Sequence, residues 1–192
     1  MICATTSTVR SREAGAALAI SLVFLLLLTI IGITATTSSS LEEKMSGNTR
    51  DLSVSTQLAE SGYRAAAAWV FNQAGTGARP TETNATPSAN EIWALGTAGS
   101  GALADQTTSW WIANAIEYGV AGTKEFVSPD TTIFYQANED PRFVIEGYGF
   151  LADDVSSGSS AGRDFYRNSA YGTGLTGNAQ TLIQGTIFTR YN

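Results

Sequence analysis

From Ala14 to Leu41 the chain carries no charged residue, and the centre of this 28-residue stretch reads Leu18-Ala-Ile-Ser-Leu-Val-Phe-Leu-Leu-Leu-Leu-Thr-Ile-Ile-Gly-Ile33. About 20 consecutive apolar residues carry a helix across a bilayer core, where each backbone N–H and C=O has to be satisfied within the segment itself. A secretory signal peptide has a shorter apolar region, roughly 7–15 residues, that ends at a small-x-small cleavage site. Ala35-Thr36-Thr37 is a poor version of such a site, and helix-forming residues follow it. The stretch therefore reads as a retained membrane anchor. Arg10 and Arg12 precede it and Glu42 and Glu43 follow it, which puts the short N-terminus in the cytoplasm and about 150 residues on the far side of the membrane. Cys3 has only Met1 and Ile2 in front of it, too little for the apolar segment that a lipid-modified cysteine requires.

The rest of the composition narrows the function class. The chain has 192 residues, no His and one Cys. Without His the commonest general base, the Ser/His and Cys/His nucleophile pairs and every imidazole metal ligand are lost. One Cys allows no intramolecular disulfide. With 11 basic residues against 17 acidic, the net charge is −6, the wrong sign for a protein whose task is neutralising phosphates. Arg142, Arg163, Arg167 and Arg190 form the only local basic strip, with acidic residues between them. No direct contact with nucleic acid is expected.

Past the apolar stretch the helical period continues. Leu41, Met45, Asn48, Leu52, Ser55, Ala59, Gly62, Ala66 and Val70 follow steps of three and four, as expected for one face of a helix. Ser39 with Glu42 and Ser40 with Glu43 have capping-box spacing, and Gly32 and Gly47 are weak points costing roughly 1 kcal/mol each against Ala. A helix over residues 16–71 would be roughly 80 Å long at 1.5 Å per residue, more than a bilayer needs. Its second half must therefore pack on something. Tyr63, Trp69 and Phe71, with the Ala65–Ala68 run, predict docking on a sheet, and a coiled-coil partner is the competing explanation for the small-residue seam.

Between Gly75 and Asp105 an irregular connection surrounds an isolated Glu91-Ile-Trp-Ala-Leu95, read as one short helical turn at most. From Ser109 onward the period changes to that of strands. Trp110–Tyr118, Arg142–Phe150, Asp164–Tyr171 and Thr181–Arg190 are β-branched or aromatic and end near Gly, Pro, Asp or Asn. In the second segment Phe143 and Ile145 share one face, and Arg142, Val144, Glu146, Tyr148 and Phe150 the other. As adjacent strand residues, Trp110 and Trp111 would face opposite sides, one of them into the core. The expected fold class is α+β: a long N-terminal helix, half membrane-spanning and half sheet-packed, on an antiparallel sheet of about four strands.

The short basic leader, Gly15, the apolar helix, the run Leu41-Glu-Glu-Lys-Met-Ser-Gly-Asn-Thr-Arg-Asp51 and Ala59-Glu-Ser61 together resemble the PilX family of type IV pilus minor pilins. Pro141-Arg-Phe-Val-Ile-Glu146, Gly162-Arg-Asp-Phe-Tyr-Arg167 and the last strand are similar to that family's C-terminal half. Leu41, Glu42, Glu43, Lys44, Met45, Gly47, Asn48, Arg50 and Asp51 carry the most specific part of the likeness. Pro141, Arg142, Glu146, Gly162, Arg163, Tyr166 and Arg167 carry the second block, while Tyr171 stands where the family more often has Arg. The resemblance implies a pilin-like fold and a non-enzymatic subunit. It implies cleavage by a prepilin peptidase between Gly15 and Ala16, with methylation of Ala16. Removing Arg10, Arg12 and Glu13 with the leader moves the net charge from −6 to −7.

On this reading residues 1–15 are a prepilin leader, 16–72 the transmembrane and assembly helix, 73–108 an irregular connection and 109–192 a periplasmic β-sheet region. Leu18, Ile20, Leu22, Leu26 and Ile30 are assembly-helix positions. Major pilins carry a Glu at the fifth mature position to neutralise a neighbour's N-terminal ammonium; Ile20 stands there instead, suiting a subunit at a tip or initiating position. The implied partners are other minor pilins, the major pilin, a PilY-type tip adhesin, the prepilin peptidase and the inner membrane. A pseudopilin of a type II secretion machine is the nearest alternative. An anchored periplasmic enzyme would have to rely on Glu139, Asp140, Asp153, Asp154 and Asp164, for which solvated loop charge is the competing explanation. No cofactor is expected; Asp153–Ser159 offers oxygen ligands for Ca²⁺ without EF-hand spacing.

Overall fold

The computed structural model describes residues 10–88, 90–99, 101–119, 137–153 and 161–191. The chain divides into two units, Met1–Gly47 and Asn48–Asn192. Among the described residues the first unit is helix alone, the leading part of α1 (Arg10–Gly75). Among the described residues one helix is long and apolar enough to cross a membrane, as expected of an uninterrupted run with no core of its own to bury it.

The second unit is built on a sheet. Among the described residues its strands are β1 (Thr81–Thr83), β2 (Glu91–Ala94), β3 (Ile116–Glu117), β4 (Arg142–Ala152), β5 (Gly162–Thr173) and β6 (Gln180–Tyr191). The order is β1-β2-β4-β5-β6, with β3 also on β4. β4, β5 and β6 form the expected antiparallel meander, paired from Arg142↔Tyr171 to Ala152↔Gly162 and from Gly162↔Tyr191 to Thr173↔Gln180. The α+β class holds. The sheet is mixed instead of antiparallel throughout, because β1 pairs with β2, and β2 with β4, in parallel.

Two segments differ from the sequence reading. Glu91–Leu95 is no helical turn: Ile92 and Trp93 are both buried and Glu91–Ala94 runs beside β4. Trp110–Tyr118 is no strand over most of its length. Thr108–Asn114 forms α2, whose N-cap Thr107 accepts a hydrogen bond from the Trp110 backbone N–H at 3.3 Å, and strand geometry is left to Ile116–Glu117. Aromatic residues favour strands on average; here a cap and one stack outweigh that. The Trp111 ring lies on the Tyr171 ring at 5.1 Å and 8°, and the Tyr171 hydroxyl meets that of Thr108 at 2.8 Å. Trp111 is buried and Trp110 half-buried, edge-on to it at 5.4 Å.

Residues of α1 within the second unit pack on one sheet face. Ser55, Ala59, Gly62, Ala66 and Val70 of the seam are buried, with Leu58, Ala65 and Trp69 beside them. Ala65, Ala66, Trp69 and Val70 form one core with Ile92, Phe143, Ile145, Tyr166 and Ala170. Leu52 of the seam and Phe71 are exposed. The approach is close: a Cβ on Gly172 would stand 2.4 Å from the Ser55 carbonyl oxygen and 2.5 Å from the Ala59 nitrogen. A second core on the opposite sheet face gathers Trp93, Ala98, Leu103, Trp111, Val144 and Tyr171.

β4 changes phase part-way. A register irregularity between Gly147 and Gly149, the latter at φ 149° in the glycine-favoured region, inserts one residue against β5. A one-residue slip exchanges the two faces. Phe150 therefore opposes Asp164, on the face of Phe143, Ile145 and Tyr166, and not with Val144 and Glu146 as strict alternation predicts.

Candidate functional site

Leu18, Ile20, Leu22, Leu26 and Ile30 all lie on α1 and all are exposed, as are Gly15 and Ala16. The large apolar side chains from Leu18 to Ile33 range from 48% exposed at Leu27 to 68% at Leu18. Burying one such side chain is worth about 1.5–3 kcal/mol over leaving it in water, so this surface requires lipid or other apolar helices. The hydroxyls within it are already satisfied. Ser21 donates to the Leu18 carbonyl at 2.8 Å, Thr29 to Leu26 at 2.7 Å, Thr36 to Ile33 at 2.9 Å and Thr37 to Thr34 at 2.9 Å. Such back-bonding lets a polar side chain enter an apolar medium without an orphaned donor. It is legible in sequence only as Ser and Thr at otherwise apolar positions.

The first motif divides sharply. Leu41, Glu42, Glu43, Lys44, Met45, Gly47, Asn48 and Arg50 are exposed, and only Asp51 is buried. Asp51 Oδ2 accepts from the Thr176 hydroxyl at 2.6 Å and Oδ1 from the Thr176 backbone N–H at 3.2 Å. The hydroxyl bond, with backbone donors of the same turn, outweighs burial and holds the carboxyl below its ordinary value. Gly174 makes room, because a Cβ there would stand 2.2 Å from Asp51 Oδ1. One residue of an exposed motif thus fastens the helix to the β5–β6 turn, and Leu52, the seam residue predicted to pack, turns outward.

The second motif forms the sheet's polar framework. Glu146 and Arg167 are register partners on β4 and β5. Arg167 Nε donates to Glu146 Oε2 at 2.8 Å and Nη2 to Oε1 at 2.8 Å, while the Gly96 backbone N–H reaches Oε1 at 3.0 Å. Glu146 is 1% exposed, and the hydrogen-bonded carboxylate raises the Arg167 pKa. Arg142 Nη2 pairs with Glu117 Oε2 at 2.6 Å, and Nη1 donates to the Ile112 carbonyl at 3.3 Å, tying β3 and the end of α2 to β4. The buried Pro141 accepts from the Tyr118 N–H at 2.9 Å. Gly162 admits the Phe150 ring, which a Cβ would meet at 2.4 Å. Tyr166 is buried with its hydroxyl 3.2 Å from that of Tyr191; burial first, then Tyr191, raise its pKa. Arg163 is exposed.

The carboxylates considered for catalysis have structural surroundings. Asp153 pairs with Arg190 at 2.7 Å, and Asp164 with Arg79 at 3.0 Å. Burial raises the Asp164 pKa against the opposing pull of Arg79. Asp140 is raised by burial and then by Glu117, and the Glu139 N–H donates to the Thr173 hydroxyl at 3.2 Å. Asp154, the Ser/Gly part of the Ca²⁺ candidate and Cys3 lie outside the described residues. Among the described residues no group of three or more His, Cys, Asp or Glu is placed to hold a metal ion. The pairings Arg79–Asp164, Glu117–Arg142 and Asp51–Thr176 had no local signal in the sequence.

Residues 14–64 match the PilX N-terminal family. This match supports a PilX-family type IV pilin. The match covers the apolar helix and the whole first motif, Asp51 included. No curated protein and no solved structure matches the chain. The PilX domain supports the role of a minor pilin in a type IV pilus, a structural subunit anchored by its N-terminal helix.

Proposed function

We propose that the chain is a minor pilin that helps initiate type IV pili as part of a tip or priming complex. The observation that carries this reading is the apolar surface of α1, exposed from Leu18 to Ile33 with its hydroxyls bonded back to the helix, inside the PilX-matched segment. Such a helix can exchange lipid for neighbouring helices without exposing a polar group in either setting. Residues 1–15 act as the leader; the prepilin peptidase cuts after Gly15 and Ala16 becomes the methylated N-terminus. The domain after the anchor is periplasmic and contacts other minor pilins, the major pilin and a PilY-type adhesin, with no catalysis and no cofactor.

Ile20 favours the tip position, since a filament interior penalises an unpaired charge and Ile20 cannot neutralise the terminus of another subunit. Two experiments test the reading. Mass spectrometry of the membrane-derived N-terminus should find methylated Ala16; an intact Met1, or a start after Ala35, would overturn the pilin assignment. Ile20→Glu should shift the subunit away from the tip in immunogold labelling, and an unchanged distribution removes the tip argument.

A further inference from the structure

The Glu146–Arg167 pair floors a cleft of about 140 Å³ on the sheet face opposite α1, with Gly96, Ala98, Ala102 and Leu103 along one side and Leu182 and Gln184 along the other. Three features define what it accepts. Both oxygens of Glu146 are bonded, Oε2 to Arg167 and Oε1 to Arg167 and the Gly96 N–H. Arg167 uses two of its five N–H groups there and keeps three. Gln184 donates Nε2 to the Ser169 hydroxyl at 2.8 Å, which leaves its carbonyl oxygen without a partner among the described residues. The cleft thus offers spare donors from Arg167 and a spare acceptor from Gln184, beside the small apolar surfaces of Ala98 and Leu103.

We propose that this cleft receives the carboxamide side chain of a Gln or Asn presented by another polypeptide. A carboxamide matches both sets: its carbonyl accepts from Arg167 and its N–H donates to Gln184. A carboxylate gains no net charge attraction because buried Glu146 already neutralises Arg167, and a cationic side chain, which only donates, leaves the spare Arg167 donors unused. An apolar side chain would cover part of Arg167 and of the exposed Gln184 without replacing their bonds to water. The volume lies below the roughly 300 Å³ at which pockets for free small molecules begin. Among the described residues no aromatic side chain lines the cleft, which disfavours a sugar. The inference rests on the pilus reading only in making the partner another pilus subunit.

The test uses the full chain, ¹⁵N-labelled in detergent, titrated with the tripeptides Ac-Ala-Gln-Ala-NH₂, Ac-Ala-Met-Ala-NH₂ and Ac-Ala-Glu-Ala-NH₂ and with N-acetylglucosamine. The Gln peptide should give saturable shifts of the Gly96 amide and the Gln184 side chain, on the order of millimolar affinity, and bind about fivefold more tightly than the Met and Glu peptides, the scale of one net hydrogen bond. Gln184→Leu should remove the preference. Ala102→Phe, at an exposed position that does not challenge folding, should block all three peptides. Equal shifts from the Gln and Met peptides would overturn the proposal and leave a hydrated crevice; tighter binding of N-acetylglucosamine would overturn the polypeptide occupant. Both readouts come from purified protein, so they can fail while N-terminal processing succeeds, or the reverse.

Discussion

Arg167→Met should be among the most damaging single changes in the second unit, although Arg167 is partly exposed. Its side chain is 28% exposed, whereas that of Glu146 is 1% exposed. Met keeps much of the apolar stem and deletes the guanidinium, leaving a buried carboxylate with Gly96 N–H as its remaining donor among the described residues. Breaking a buried pair in this way costs about 3–5 kcal/mol, and the solvent reaching Arg167 reduces the expected loss to about 3 kcal/mol. At about 2–4 °C per kcal/mol for a unit of this size, the midpoint should fall by about 6–12 °C. Near-UV circular dichroism of detergent-solubilised protein is the suitable assay, because Trp111 and Tyr171 report on the same sheet face and the apolar stretch 14–41 carries no Trp or Tyr. The double variant Glu146→Gln/Arg167→Met should recover about 2 kcal/mol, since the stranded charge is gone. A loss below about 0.5 kcal/mol in Arg167→Met, or no recovery in the double variant, would refute the argument that the buried charge sets the cost.

Gly172→Val should lift α1 from β5 and destabilise the unit by about 3 kcal/mol, since the new side chain meets helix backbone that cannot move aside; chemical denaturation with an unchanged midpoint would contradict the contact. Trp111→Ala should cost about 3–5 kcal/mol through loss of the Tyr171 stack and the buried indole, with a matching loss of near-UV signal. Asp51 has a lowered pKa, so its contribution is complete above the ordinary carboxylate value of 3.8 and is lost as pH falls through the lower folded value. Asp164 and Asp140 have raised values, so their contributions favour folding at low pH and disappear as pH rises from 3.8 through the folded values. Asp51→Asn should therefore flatten the acid limb of the stability profile below pH 3.8, and an unaltered limb would assign it to other groups.

The three long strands were legible because β-branched and aromatic runs ended at Gly-, Ser- and Asn-rich gaps short enough for a meander. The buried half of the helical seam, Ser55 to Val70, was legible for the same reason: small residues at steps of three and four have little use except close packing. Phe150 was misplaced because alternation assumes an unbroken ladder, and a bulge of one residue exchanges the faces. Trp110–Asn114 was misread because its conformation follows from the Thr107 cap and the Tyr171 stack, and Tyr171 lies far along the chain. In the candidate site, membership of the motifs was readable, and the separate tasks of their members were not: Asp51 fastens while its motif neighbours stay exposed, and Glu146 is buried while Arg163 is not.

What the sequence determined alone was local and periodic. A run of 28 uncharged residues with an apolar centre makes a helix long and apolar enough to cross a membrane, and its Ser and Thr hydroxyls find partners three or four residues back on the same helix. What only the tertiary structure decided was pairwise and long-range. The sheet register put Arg167 opposite Glu146, brought Gly96 N–H to the same carboxylate and set the Thr176 turn beneath Asp51. A buried charge is tolerable only beside its partner, and that partner is chosen by strand register, which no single segment encodes.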